Sequence, residues 1–322
     1  MLCILSKENN PRFNLAAEEY LFRNFDEDLF FLYINSPSVV VGKHQNALAE
    51  INPWFVKENK IEVLRRLSGG GAVYHDLGNL NFSFHKSVAD TSKISFQSFN
   101  QPIVDVLQRL NIPAEISKRN DIFVNGFKVS GHAEHVFRNR ILSHGTLLFN
   151  AEREKLSKAL KNESGQFSHR AIQSVRSKVA NVSEYLKTDI EIDEFAHLIL
   201  KHILESKSNG KIYELTGNDI KLIKKLAAEK YATWEWNFGY SPKYRFEKSL
   251  SDGELEIGIF LRVEKGIIKE LSISGNGLDE NQKRTVQHTL LNSPHEFDSI
   301  EKNLLTLNLN QKISSLLYKC FF

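Results

Sequence analysis

Residues 61–85 read IEVLRRLSGGGAVYHDLGNLNFSFH: an extended run carrying two arginines, three consecutive glycines, and a second extended run in which apolar and polar side chains alternate. Alternation has the period of a half-buried strand, so the stretch predicts two extended segments joined by a glycine turn. Without Cβ atoms, the backbone N–H groups of Gly69, Gly70 and Gly71 admit a ligand that a substituted residue would keep away. Arg65 and Arg66 add fixed charge and fork-shaped donors suited to carboxylate or phosphate oxygens. The loop is a candidate anion site. A flexible hairpin tip beside a solvated basic pair has the same local composition, and polar segments further along bear on the choice.

Working outward, residues 13–25 place Leu15, Ala16, Tyr20, Leu21 and Phe25 at helical spacing, with Asn14 as candidate N-cap. Two β-rich runs follow, LFFLYI (29–34) and SVVVG (38–42), and Asn35-Ser36-Pro37 between them reads as a hairpin turn. A short helix is expected from Pro53 and Trp54, and a longer one over 96–110 ahead of IPAEIS. DIFV and FKVS flank Asn125-Gly126, the strongest short hairpin signal, because both central residues of a type I′ turn need positive φ. Asp121 and Lys128 are thereby expected near opposite ends of one hairpin. ILSHGTLLF (141–149) is a further strand after a turn at Arg138-Asn139-Arg140, and helical patterns dominate from Glu152 to Tyr231. TWEWNFGYSPKY (233–244) marks a boundary. Beyond it KYRFEK, ELEIGIFLRV and IIKELSIS predict a small antiparallel sheet turning at Lys265-Gly266, and helices near 279–292 and 310–319 complete a second domain.

The 322 residues suffice for about two domains with full cores. Hydrophobic content of 41% with 25% charged residues is that of a soluble globular protein and excludes fibrous or low-complexity classes. The net charge of +3, from 42 basic and 39 acidic residues spread along the chain, argues against a nucleic-acid partner. The opening MLCILSKENN has no basic lead and only a short apolar run, so no signal peptide, no membrane span and a cytoplasmic location are expected. Cys3 and Cys320 give neither a disulfide framework nor a CxxC metal spacing, which counts against a cysteine mechanism.

Polar residues concentrate in RRLSGGGAVYHDLGN (65–79), NDIFVNGFKVSGHAEH (120–135) and LSHGTLLF (142–149). In that order they resemble the lipoate-protein ligases, whose motifs read RR-x-S-GGG-x-V-x-HD-x-GN, ND-I with a hairpin lysine in K-hydrophobic-SG-x-A, and HGTLL. SVVVGKHQNALAEIN (38–52) is similar to the family's strand with a Gly-x-x-Gln-Asn tail. SVRSKVANVSEYL (174–186) continues the resemblance, and WEWNFGYSPKY (234–244) resembles the linker before the family's accessory domain. The resemblance implies an α+β fold: a mixed β-sheet backed by helices, of the biotin and lipoate ligase type related to class II aminoacyl-tRNA synthetases. It implies a catalytic domain over 1–235 and a small α/β accessory domain over 240–322. It also implies a two-step reaction, in which lipoate (or octanoate) and ATP form an acyl-adenylate and the acyl group then passes to a lysine of a lipoyl domain. The partners implied are lipoyl domains of 2-oxoacid dehydrogenase E2 subunits and the glycine cleavage H protein, met by a monomer.

Bringing a carboxylate onto an α-phosphate sets two anions together, so such a site needs cations and N–H dipoles rather than a covalent nucleophile. By resemblance, Lys128 is catalytic and contacts both the lipoyl carbonyl and the adenylate phosphate, although on position alone it would be a solvated hairpin lysine. Asp121 either orients Lys128 or helps hold Mg²⁺; a capping or turn aspartate is the alternative. Arg66, Gly71, Ala72, Val73 and Tyr74, with Lys128, match ATP-contacting positions, while Ser68, Gly70 and His144, again with Lys128, are assigned to lipoate. Neither a P-loop ending nor a G-x-G-x-x-G is present. His75 and Asp76 are adjacent on a strand, point to opposite faces, and are given a structural role. His132, His135 and His144 have no cysteine to complete a zinc site and are given no zinc role, so Mg²⁺ carried with ATP is the only metal expected. Two positions depart from the family's pattern: Ser143, where a second histidine is common, and His132, where a small residue is frequent. A competing reading is an acyltransferase on the same fold that uses a preformed adenylate or carrier-bound acyl group without ATP. Its carrier-dependent form commonly passes the acyl group through a thiolate. Biotin ligase would share the fold but normally has a Gly-Arg-Gly-Arg loop, and a non-catalytic binding protein would be expected to have lost Lys128 or the glycines.

Overall fold

The computed structural model describes residues 1–88, 95–160, 165–175, 177–206 and 209–322. They form two compact units: Met1–Lys43 with Ile61–Lys158 and Ser174–Thr233, and His44–Lys60 with Ala159–Gln173 and Trp234–Phe322.

The first unit is built on a mixed six-stranded sheet. Strand β1 (Leu2–Leu5) runs parallel to β2 (Leu29–Ile34) and to β13 (Lys211–Ile212). Antiparallel pairing then continues from β2 to β6 (Asn79–Ser87), β11 (Arg140–Leu148) and the edge strand β10 (His132–Phe137). One face sends Phe30, Leu32, Phe82, Phe84, Ile141 and Leu147 into the main core, which α4 (Gln97–Arg109) and α6 (Ile192–Glu205) complete through Ile103, Leu107, Phe195 and Ile199. The other face carries Asn81, Ser83, His85 and His144 and is met by α1 (Pro11–Asn24), whose Phe22 ring stands 5.9 Å from His85. Burying a polar sheet face is costly unless its groups are paired, which is a first sign that this face serves a site.

Helix α1 starts earlier than its apolar pattern suggested. Asn10, not Asn14, is the N-cap, accepting from the Arg12 and Phe13 N–H groups, and Pro11 supplies a preset φ at the first helical position. Asn14 is fully buried instead, and its amide donates to Glu8 O, Ile34 O and Asn35 Oδ1. The expected hairpin between β2 and the next strand is also absent. Strand β3 (Ser38–Val41) lies in a separate sheet, parallel to β4 (Glu62–Arg65) and antiparallel to β5 (Val73–His75). Both runs are buried with no alternation, so nothing in their patterns specifies pairing with each other. A third small sheet holds β7 (Ala114–Ile116), β8 (Ile122–Val124) and β9 (Phe127–Ser130), with Asn125 (φ 50°) and Gly126 (φ 80°) turning the last two as expected.

In the second unit β12 (Gln166–His169), β14 (Tyr244–Asp252), β15 (Leu255–Glu264) and β16 (Ile267–Ser274) form an antiparallel sheet, packed on α8 (Glu280–Leu290), α9 (Phe297–Leu305) and α10 (Gln311–Cys320). The turn at Lys265-Gly266 is where the sequence puts it, both residues having positive φ. Strand β12 falls in a stretch read as helical, because its four residues, QFSH, offer one apolar anchor and no period; Phe167 packs 4.7 Å from Phe246. Helix α9 was not anticipated. The short α2 (Ala47–Glu50) and α3 (Pro53–Glu58) belong to this unit too, since Trp54 packs against Phe297 (5.2 Å) and Tyr318 (5.5 Å) and donates from Nε1 to Phe322 O. The remaining helices, α5 (Arg153–Ala159) and α7 (Gly217–Leu226), are among the helices expected between 152 and 231. Among the described residues no helix is long and apolar enough to cross a membrane.

Candidate active site

The glycine loop is held from beneath by Arg66. Its guanidinium is buried, with Nε donating to Ser68 Oγ (2.9 Å), Nη1 to Val40 O (3.0 Å) and Nη2 to the carbonyls of Gly69 and Gly71. Four of its donor directions are thus directed at protein oxygens, and the cation organises the loop from inside. Gly70 has φ +85° and a Cβ there would sit 3.0 Å from Arg66 Nη2; a Cβ on Gly42, at the end of β3, would strike Gly70 O at 2.2 Å. Gly42 is needed for the close approach of the two backbone segments, and Gly70 for the positive φ of the turn. Arg65 is fully buried and donates to Gly42 O and Lys43 O, so its forked group supports backbone rather than facing a ligand.

Ser68 relays the loop to the sheet. Its Oγ lies 2.6 Å from His144 Nε2, and His144 Nδ1 lies 2.9 Å from Glu18 Oε2 on α1. Burial pushes the Glu18 carboxyl up, but the charge and hydrogen bond of His144 outweigh it, with help from His85 and Tyr33, and hold it below the usual range. Burial pulls Arg66 down to about 10, partly offset by Glu18 and Tyr33, so it stays cationic at neutral pH. Burial, followed by the charge of Arg66, pulls His75 down to about 3, so its ring is neutral; Nδ1 meets the Asn35 amide at 2.9 Å. Asp76 accepts from the N–H groups of Gly78 and Glu152, the structural role expected of it. Val73 and Tyr74 continue the loop into β5; Tyr74 is buried, and burial raises its hydroxyl to about 12.

The lysine hairpin forms the second half. Lys128 Nζ lies 2.9 Å from Asp121 Oδ2 with both side chains mostly shielded. The two residues are therefore joined, not set at opposite hairpin ends. A β-bulge between Ile122 and Phe123 shifts the register so that Phe123 faces Lys128 while Ile122 faces Ser130. Gly131 lies beside the ammonium arm, where a Cβ would sit 3.4 Å from Lys128 Cε and Nζ, an ordinary contact. The Lys128 backbone is pinned by a parallel bridge to Val179, with Lys128 N donating to Lys178 O and Ala180 N donating to Lys128 O.

Ser174 and Lys178 to Ala180 thus touch the two halves from one stretch of chain, because Ser174 Oγ accepts from Ala72 N (2.8 Å). Arg176 of the same segment lies outside the described residues. Glu18 was missed in the sequence, although an acidic pair inside the apolar run LAAEEYLF is the signal for a buried carboxylate. Among the described residues no group of three or more His, Cys, Asp or Glu side chains is placed to hold a metal ion.

A glycine loop shaped by a buried arginine, with a carboxylate-paired lysine on the same α+β unit, suits an enzyme that activates or transfers an acyl group. Residues 10–204 match the family model for the lipoyl protein ligase A/B catalytic domain, and residues 241–319 the model for the bacterial lipoate protein ligase C-terminus. Lipoate–protein ligase 1 of Staphylococcus aureus is 41% identical over 302 residues, covering 93% of this chain and 92% of that protein. A lipoate-protein ligase A structure bound with ATP superposes with a TM-score of 0.63 at 31% identity, covering 74% of this chain and 98% of that one. The bi-partite lipoate protein ligase of Thermoplasma acidophilum, studied with its E2 lipoyl domain, gives 0.64 at 29%, covering 74% and 96%. The chain belongs to the lipoate-protein ligase family, and its chemistry is ATP-dependent ligation of lipoate to protein.

Proposed function

We propose that Lys128 is the charge-stabilising group of both half-reactions and that the loop from Ser68 to Tyr74 binds the two anions it brings together. In the first step a lipoate (or octanoate) carboxylate oxygen attacks the α-phosphorus of ATP and pyrophosphate leaves. In the second the amine of an acceptor lysine attacks the acyl carbonyl, AMP leaves, and the amine proton is released. Negative charge builds beside Lys128 in both steps, and a preorganised ammonium in a shielded site needs no reorganisation as it does so. The observation that carries this reading is the 2.9 Å Lys128–Asp121 pair beside Gly131. Gly71, Ala72, Val73 and Tyr74 are assigned to ATP, with Arg66 shaping the loop and reaching phosphate; Ser68, Gly70 and His144 are assigned to the lipoyl carboxylate side.

Both Asp121 oxygens already have partners, Lys128 and the His132 N–H, so Mg²⁺ is assigned chiefly to the ATP phosphates, with Asp121 as the protein carboxylate in reach. The metal would neutralise phosphate charge. The acceptors proposed are lipoyl domains of 2-oxoacid dehydrogenase E2 subunits and the glycine cleavage H protein, modified by a monomer in the cytoplasm. Residues 1–235 are assigned to catalysis and 240–322 to an accessory domain. A thiol route gains no support: Cys3 and Cys320 are buried, and burial pushes both thiols up to about 11.

The test is the intact mass of a purified lipoyl domain after incubation with the chain, lipoate, ATP and Mg²⁺. One lipoyl group on its acceptor lysine, strictly dependent on ATP, is expected. Modification only when preformed lipoyl-adenylate is supplied would replace the ligase reading by the adenylate transferase.

A further inference from the structure

Ser143 and His144 are neighbours on β11, so their side chains leave opposite faces of the sheet. Each makes a serine–histidine hydrogen bond. His144 Nε2 meets Ser68 Oγ at 2.6 Å on one face, and Ser143 Oγ meets His132 Nε2 at 2.7 Å on the other. The first contact fixes the glycine loop. We propose that the second fixes the lysine hairpin: His132 and Ser143 are positioning residues that lock the Asp121–Lys128 pair onto β11, so that this strand sets the cation relative to the anion loop.

The path is short. His132 N donates to Asp121 Oδ1 at 3.3 Å, and the other Asp121 oxygen holds Lys128. The His132 side chain is 0% exposed and its ring lies 6.0 Å from that of Phe82, tilted by 33°. Its Nδ1 has no hydrogen-bond partner among the described residues, which leaves Ser143 as the ring's one close polar anchor. Two residues on, Glu134 Oε1 accepts from Asn120 Nδ2 at 3.2 Å and stands 3.7 Å from His132 Nε2. The start of β10 therefore holds both Asn120 and Asp121. Burial, followed by the charge of His144, pulls the ring down to about 3, so the anchor is a neutral pair that keeps its form across the working pH range. With the Ser143 hydroxyl gone, a buried ring nitrogen loses its partner and the ring can tilt, carrying the His132 amide away from Asp121.

This inference rests on the reading of Lys128 given above, and its test separates the two. Ser143→Ala is expected to lower kcat for adenylate formation and for transfer from preformed lipoyl-adenylate by a common factor of about ten, as small misplacements of a charge-stabilising group do. The KM for ATP should change less than about twofold, because the loop is anchored on the other face. Exchanging the partners, His132→Ser with Ser143→His, restores a serine–histidine pair and should recover most of the loss of the single variants. Independently of activity, hydrogen exchange at the His132 amide should quicken in Ser143→Ala while the melting temperature moves little. Unchanged amide protection would overturn the inference even if the wild-type chain made no adenylate, an outcome that would itself sink only the functional reading. Unchanged kcat, a loss confined to the KM for ATP, or an exchange variant no better than the product of the singles would overturn it as well.

Discussion

Replacing Lys128 by alanine lowers both adenylate formation and transfer by at least about two orders of magnitude, because one preorganised donor at developing charge contributes about 3 kcal/mol. The loss falls on kcat, since the group acts where charge develops rather than on ground-state binding. The fold survives, because the Lys128 side chain is shielded by the pair with Asp121 but lies outside the main hydrophobic core. Single-turnover measurement of each half-reaction checks this. A variant slow in adenylate formation but normal in transfer would confine Lys128 to the first step, and near-normal rates in both would remove it from the mechanism.

Acidification from pH 7 to pH 5 strongly destabilises the first unit. Burial pulls His75, His85 and His132 each down to about 3 in the folded chain, against an unfolded value near 6.5. The sign follows directly. A histidine with a depressed folded value binds its proton in the unfolded chain first, so the stability it allows is complete above the unfolded value and declines as pH falls from there toward the folded one. Each such group costs on the order of 1–2 kcal/mol between pH 7 and pH 5, so three together cost roughly 3–6 kcal/mol, a large share of the roughly 5–15 kcal/mol of a typical domain. Glu18 adds to the loss at lower pH, because its depressed carboxyl stabilises above the ordinary carboxylate value and less as protonation sets in. Urea midpoints at pH 7, 6 and 5 measure the effect, and His85→Asn should reduce the slope by one proton. Equal midpoints at pH 7 and pH 5 would contradict the buried neutral histidines.

What the sequence made legible was local. Asn125-Gly126 and Lys265-Gly266 specify turns through positive φ and needed no tertiary information. The glycine triplet and the lysine hairpin stand out in the sequence because small residues cluster there beside charge. Pairing between distant segments was not. LFFLYI and SVVV read alike as buried strands, and only the tertiary fold separates them into two sheets. The Lys128–Asp121 pair depends on a bulge of one residue, and the hold of Arg66 on the loop carbonyls was not legible because a forked group serves carbonyl and phosphate oxygens equally well. Glu18 reaches the site across 126 positions of chain to His144, a distance over which no spacing rule operates.

The central claim is that this chain activates lipoate itself. Pyrophosphate release, followed continuously with purified chain, Mg²⁺ and ATP in the absence of any acceptor protein, tests it most directly. Release that requires lipoate, stops near one equivalent per chain as adenylate is retained, and resumes when a lipoyl domain is added is the predicted result; ATP left intact in the presence of lipoate, while preformed lipoyl-adenylate still modifies the lipoyl domain, would contradict it.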